Sequence, residues 1–138
     1  MDAHVRQALA ESTDSVHLVV PPSSEYLRTA RLVAADAALR AGLDCEEIED
    51  FRIAVDELCH LVMSATDHFV ELWVVSVDNR VIAHGCAPSR PGSAPHAPGE
   101  LSALILEATA DYYDVQDTDG EVNFAVVKQA RRVMADQR

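Results

Sequence analysis

An α+β domain is what this sequence predicts: a two-layer sandwich with a mixed, mostly antiparallel sheet and helices on one face. Three observations carry that expectation. Apolar residues recur at three- and four-residue steps from Leu27 to Ala41 and from Ile48 to Ala65, the period of amphipathic helices. Two further stretches gather β-branched residues around short breaks of Asp, Asn or Gly, the signature of hairpins. The resulting order is strand, two helices, hairpin, long loop, helix, hairpin, which sets helices beside a sheet. Length agrees, since 138 residues suit one domain, expected to span 1–138, and a 49% hydrophobic fraction supplies its core.

Residues 1–14 are polar without a clear period and read as a loose arm or frayed helix. Val16 to Val20 reads as a strand, with Val16, Leu18 and Val20 sharing a face, and Pro21-Pro22 ends it. Ser23 and Ser24 are cap candidates for a helix from about Glu25 to Arg40, whose stripe is Leu27, Ala30, Ala34, Ala37, Ala38 and Ala41. Gly42 suits the left-handed position that closes such a helix. Asp44 and Glu47 form an Asp-led capping box ahead of a longer helix that buries Ile48, Phe51, Val55, Leu58, Val62 and Ala65. A hairpin follows, Phe69 to Val77 and Arg80 to His84, turning at Asp78-Asn79. Residues 85–99 hold four prolines and three glycines and read as a long loop. A third helix is expected over about Glu100 to Asp111, with Leu101, Leu104, Ile105 and Ala108 on one face. A last hairpin pairs Tyr112–Gln116 with Val122–Val127, and Lys128 to Arg138 continues as a short helix.

Charge narrows the function. Eleven Lys+Arg against 23 Asp+Glu give a net charge of −12, and Lys128 is the single lysine. Such an acidic balance leaves no cationic surface to displace counterions, so nucleic acid and anionic membranes are not expected partners. The start lacks a basic flank and apolar stretch, and no apolar run approaches the roughly 20 residues of a spanning helix, so a cytoplasmic protein is expected. Cys45, Cys59 and Cys86 fit no disulfide framework and no metal spacing. Cys59 and His60 are adjacent and diverge by about 100° on a helix, which argues against a zinc site built with His84 and Cys86.

Ile53-Ala54-Val55-Asp56-Glu57-Leu58-Cys59 resembles the N-box of the RsbW-type anti-sigma factors and serine kinases, within the GHKL class of histidine-kinase-like ATP-binding folds. The order of elements over roughly residues 16–130 agrees with that resemblance, and Arg31 stands about where the family has an arginine on its first helix. The resemblance implies that Glu57 corresponds to a general base acting on a substrate serine, with ATP and Mg²⁺ as cofactors. Three departures follow. Leu61 replaces the Mg²⁺-binding asparagine, Ala83-His84-Gly85-Cys86-Ala87 carries no adenine-recognising aspartate, and Glu100 brings negative charge to the phosphate-binding turn Gly99–Ser102. The nucleotide site therefore reads as degenerate and Glu57 as vestigial, similar to the actinobacterial anti-sigma-F branch.

What the resemblance implies is a homodimer that sequesters an alternative sigma factor and is released by a STAS-domain antagonist. Partner contacts are expected at Arg31, with Arg28 and Tyr26 beside it, because arginine and aromatic anchors dominate interfaces. A plainer reading makes the arginines solvated charges on an acidic protein. The dimer contact is expected on a flat apolar patch of the sheet or first helix, using residues such as Val75 and Val77. Two alternatives stand beside sequestration: an active ATP-dependent serine kinase acting on the antagonist, and a regulatory module with a different protein partner. Loop 85–99 falls where the family has its ATP lid, and reads either as a docking segment or as a merely flexible loop.

Overall fold

The computed structural model describes residues 6, 7 and 14–131. Five strands form one sheet: β1 (Ser15–Val20), β2 (Val70–Val77), β3 (Arg80–Pro88), β4 (Tyr112–Thr118) and β5 (Glu121–Gln129). Their spatial order is β1-β2-β3-β5-β4. Within residues 14–131 three α-helices, α1 (Leu27–Arg40), α2 (Cys45–Ala65) and α3 (Glu100–Thr109), cover one face. This is the expected α+β class. The sheet is not mixed, however, because every pairing is antiparallel. Two helices between β1 and β2 return the chain in the opposite sense. The single helix α3 makes β3 and β4 parallel in direction, but β5 lies between them and no parallel pair forms.

The helices form where the periodicity places them, with local differences. A 3-10 turn, Ser24–Tyr26, precedes α1, which starts at Leu27 without a side-chain cap from Ser23 or Tyr26. All six residues of the expected α1 stripe are buried. At the start of α2 the capping box is complete: the Glu47 amide donates to Asp44 Oδ1 at 2.8 Å and the Asp44 amide to Glu47 Oε1 at 2.9 Å. Such a box satisfies two amides that have no partner within the helix. Asp78 and Asn79 adopt φ of 50° and 62°, as a tight hairpin turn requires.

β3 runs to Pro88, four residues beyond expectation, so the loop is 89–99. Gly85 and Pro88 read as breakers but are accommodated. Gly85 lies against the Phe124 ring, and Pro88 sits at the strand end where a missing amide does little harm. The second hairpin turns at Asp119-Gly120, both at positive φ. α3 ends at Thr109 and presents a different face from the one expected. Leu101 and Leu104 are 71% and 61% exposed, whereas Leu106 and Thr109 are buried. Docking on α2 through Ser102 and Leu106 outweighs the more apolar stripe.

The core lies between the helices and the inner sheet face, where Leu72, Val74, Val81, Ala83, Phe124 and Val126 are buried against α1 and α2. Ser76 Oγ donates to the Ala37 carbonyl at 2.7 Å, and Lys128, buried on β5, places its ammonium 3.5 Å from Asp50 of α2. The expected apolar patch is corrected here, because Val75 is fully buried and Val77 half-buried. Residues 132–138, and the expected arm apart from residues 6, 7 and 14, lie outside the described residues. No helix among the described residues is long and apolar enough to cross a membrane.

Candidate functional site

The outward flanks of α2 carry the residues singled out in the sequence. On the flank toward α3, Glu57 is half-buried, and the Ser102 hydroxyl donates to its Oε2 at 2.7 Å. One turn further along, Leu61 packs against the core. Position 61 thus makes an apolar contact, and the carboxylate one turn before it holds a serine hydroxyl from the first turn of α3. Glu100, in that same turn, is exposed.

On the flank toward α1, Arg31 donates from a terminal nitrogen to Asp56 Oδ1 at 2.6 Å, with each side chain about one-third exposed. Arg28 is exposed and Tyr26 packs on the core edge, so only part of the expected partner cluster points to solvent. Leu32 and Leu39 lie exposed on the same helix, seven residues apart, and were not singled out in the sequence. An i, i+7 pair of exposed leucines was legible there, but the alanine stripe is the stronger signal.

Loop 89–99 is tethered at both ends. Arg90 donates to the carboxylate of Asp67 at 2.9 Å and to the carbonyls of Ser64 and Thr66, which end α2 without intrahelical partners. At the far end, the His96 amide and Nδ1 reach Asp117 Oδ2 at 2.7 and 2.8 Å. The His96 side chain, then its amide, hold the Asp117 carboxyl below its ordinary value. These tethers do not fit the merely flexible reading of this segment. Between the loop and the β4–β5 turn lies a hollow of about 490 Å³. Among the described residues that line it, the only cation, Arg90, is engaged with Asp67, and Asp117 and Asp119 bring negative charge, which suits no phosphate.

The structure does not bring Cys59, His60, His84 and Cys86 together. Cys59 is buried in α2, His60 is exposed on another face, and His84 and Cys86 stand on the outer face of β3. Across that face His17 stacks on Trp73 at 4.5 Å and Trp73 on His84 at 5.6 Å. Burial lowers the His84 pKa, and its Nδ1 lies 2.9 Å from the Phe124 carbonyl, so this nitrogen carries the proton of the neutral ring. Burial pushes the Cys59 thiol up to about 12, with Asp56 adding to it, and the Cys86 thiol up to about 11. Since the thiolate is the reactive form, exposed Cys45 will react first with a disulfide reagent, Cys86 slowly, and Cys59 only on unfolding. Timed labelling read by mass spectrometry checks this, and fast labelling of Cys59 in the native chain would contradict it.

Comparison with known proteins places this geometry. No family model matches the chain. Serine-protein kinase RsbW of Bacillus pumilus is 41% identical over 49 residues, 36% of this chain and 30% of that protein. Its namesake from Bacillus velezensis is 35% identical over 51 residues, 37% and 32% of the two chains. The chain thus matches about a third of the length of these curated relatives. A crystal structure of the RsbU and RsbW domains of Rv1364c from Mycobacterium tuberculosis superposes with a TM-score of 0.61. It is 18% identical and covers 86% of this chain and 34% of that one. The α+β architecture described above is thus shared with a solved structure that contains an RsbW domain, and the matching sequences are RsbW proteins.

Proposed function

We propose that this chain is an RsbW-family, anti-sigma-type regulator that sequesters an alternative sigma factor without a working nucleotide site. The observation that carries the reading is the pair Glu57 and Leu61. The carboxylate holds the Ser102 hydroxyl, and the residue one turn on has no metal-binding atom. Phosphoryl transfer depends on positioned metal and phosphate contacts more than on a base. The sigma factor is assigned to the outer side of α1, where Arg28, Leu32 and Leu39 are exposed and Asp56 holds Arg31 in place for a partner carboxylate. A STAS-domain antagonist is the proposed release factor, and the working unit is a homodimer. The name of the Bacillus relatives favours a second reading, an active serine kinase acting on that antagonist with ATP and Mg²⁺.

Titration of the sigma factor separates the two. Arg31→Ala is expected to weaken binding by about 2 kcal/mol, as for a desolvated arginine anchor. Glu57→Ala should leave affinity within a few tenths, and Mg-ATP should change neither affinity nor melting temperature appreciably. Transfer of phosphate to the antagonist serine by the native chain, lost in Glu57→Ala, would establish the kinase instead.

A further inference from the structure

Helix α3 meets the rest of the fold by its less apolar side. Successive helical residues turn by about 100°, so Ser102, Leu106 and Thr109 share the inward side, while Leu101, Leu104 and Ala108 fall within about 60° of one another on the outward side. All three outward residues are exposed, and no large apolar side chain among the described residues is more exposed than Leu101. One leucine in water is ordinary, but an apolar stripe along a helix is the form a partner contact takes.

α1 also exposes two leucines, and charge sets α3 apart from it. α3 holds two glutamates and no lysine or arginine. Glu100 and Glu107, seven residues and therefore about 10 Å apart, run along one edge of the stripe, and both are exposed. Elsewhere the cations are taken: Arg31, Arg40, Arg52, Arg90 and Arg131 pair with other carboxylates, and Lys128 with Asp50. A second copy of the chain brings the same charge of −12 and the same two carboxylates, so it is repelled. The occupant that this face fits is apolar and positive.

We propose that the outward face of α3 docks a cationic amphipathic helix of another protein. Its aliphatic residues, at three- and four-residue steps, lie on Leu101, Leu104 and Ala108, and its Lys or Arg, seven residues apart along one edge, meet Glu100 and Glu107. This surface lies on the other side of α2 from α1 and does not depend on the sigma factor assigned there.

A fluorescently labelled helical peptide of Leu, Ala and Lys with that spacing is the probe. Its anisotropy should rise to saturation, the affinity should fall with added salt, and backbone amide shifts should cluster on residues 100–109. The same peptide with Glu for each Lys should not bind. Leu101→Ser with Leu104→Ser, and separately Glu100→Gln with Glu107→Gln, should each weaken binding about tenfold. Neither pair should move the melting temperature appreciably, because all four side chains lie outside the core. Glu25→Gln with Glu121→Gln, exposed on other elements, should leave affinity unchanged. Equal losses in the two glutamine pairs, or shifts spread away from α3, would overturn the assignment, since the attraction would then belong to the net charge alone. Unchanged affinity in the serine pair would do the same. So would a drop in light-scattering mass in that pair, because the face would then belong to a second copy.

Discussion

Alanine at position 85 will destabilise the chain by about 3 kcal/mol, the upper end of what overpacking a filled core costs. A Cβ built on Gly85 comes within 2.5 Å of Phe124 Cε2 and 2.8 Å of Cζ, and the Phe124 ring is itself fully buried. The glycine is needed for space rather than for an unusual φ. Its cross-strand neighbour is that aromatic ring. Urea midpoints at unchanged slope measure the loss. Adding Phe124→Leu to Gly85→Ala should recover part of it, since the smaller side chain vacates the contact. A loss of only a few tenths would mean that the ring moves aside freely.

Glu47→Gln should lower stability by about 2–4 kcal/mol at neutral pH, the range for breaking a buried, hydrogen-bonded charge. Glu47 is 2% exposed and accepts from the Asp44 amide, the Arg131 amide at 2.6 Å and Arg131 Nε at 2.9 Å. A glutamine keeps one oxygen and turns its amide hydrogens toward donors. Burial alone would push the Glu47 carboxyl up, but the Asp44 and Arg131 contacts outweigh it and hold the group below its ordinary 4.5. A depressed value means stabilisation that is complete above 4.5 and lost as pH falls through the lower, folded value. The gap between native and variant stabilities should therefore close on acidification below that point. A gap independent of pH would assign the effect to shape rather than charge.

Glu47 also shows where sequence reading stops. Its role as a cap three residues after Asp44 is local and legible, whereas its bond to Arg131 spans 84 positions and leaves no mark on spacing. The same division holds elsewhere. α1, α2 and the Asp78-Asn79 turn followed from periodicity, capping chemistry and residues that tolerate positive φ, whereas the last hairpin is two residues longer on its first strand than expected and turns at Asp119-Gly120 alone. The exposed face of α3 did not follow, because an apolar count cannot say which side docks. The end of β3 did not either, because Gly85 and Pro88 are breakers until Phe124 and the strand terminus supply their context. At the candidate site, the positions of Glu57 and Leu61 on α2 were readable. The Ser102 contact was not, since it depends on how two helices meet across 45 positions.

The burial of Lys128 has a chemical consequence for the whole molecule. It is the single lysine in the sequence, 7% exposed, with its ammonium turned to Asp50. The folded surface thus presents no free side-chain amine. Acylation, ubiquitin attachment and amine-directed cross-linking find no accessible lysine, while carboxylates are plentiful. The charge of this surface is insensitive to lysine acetylation, and its cations are arginines, which stay protonated throughout.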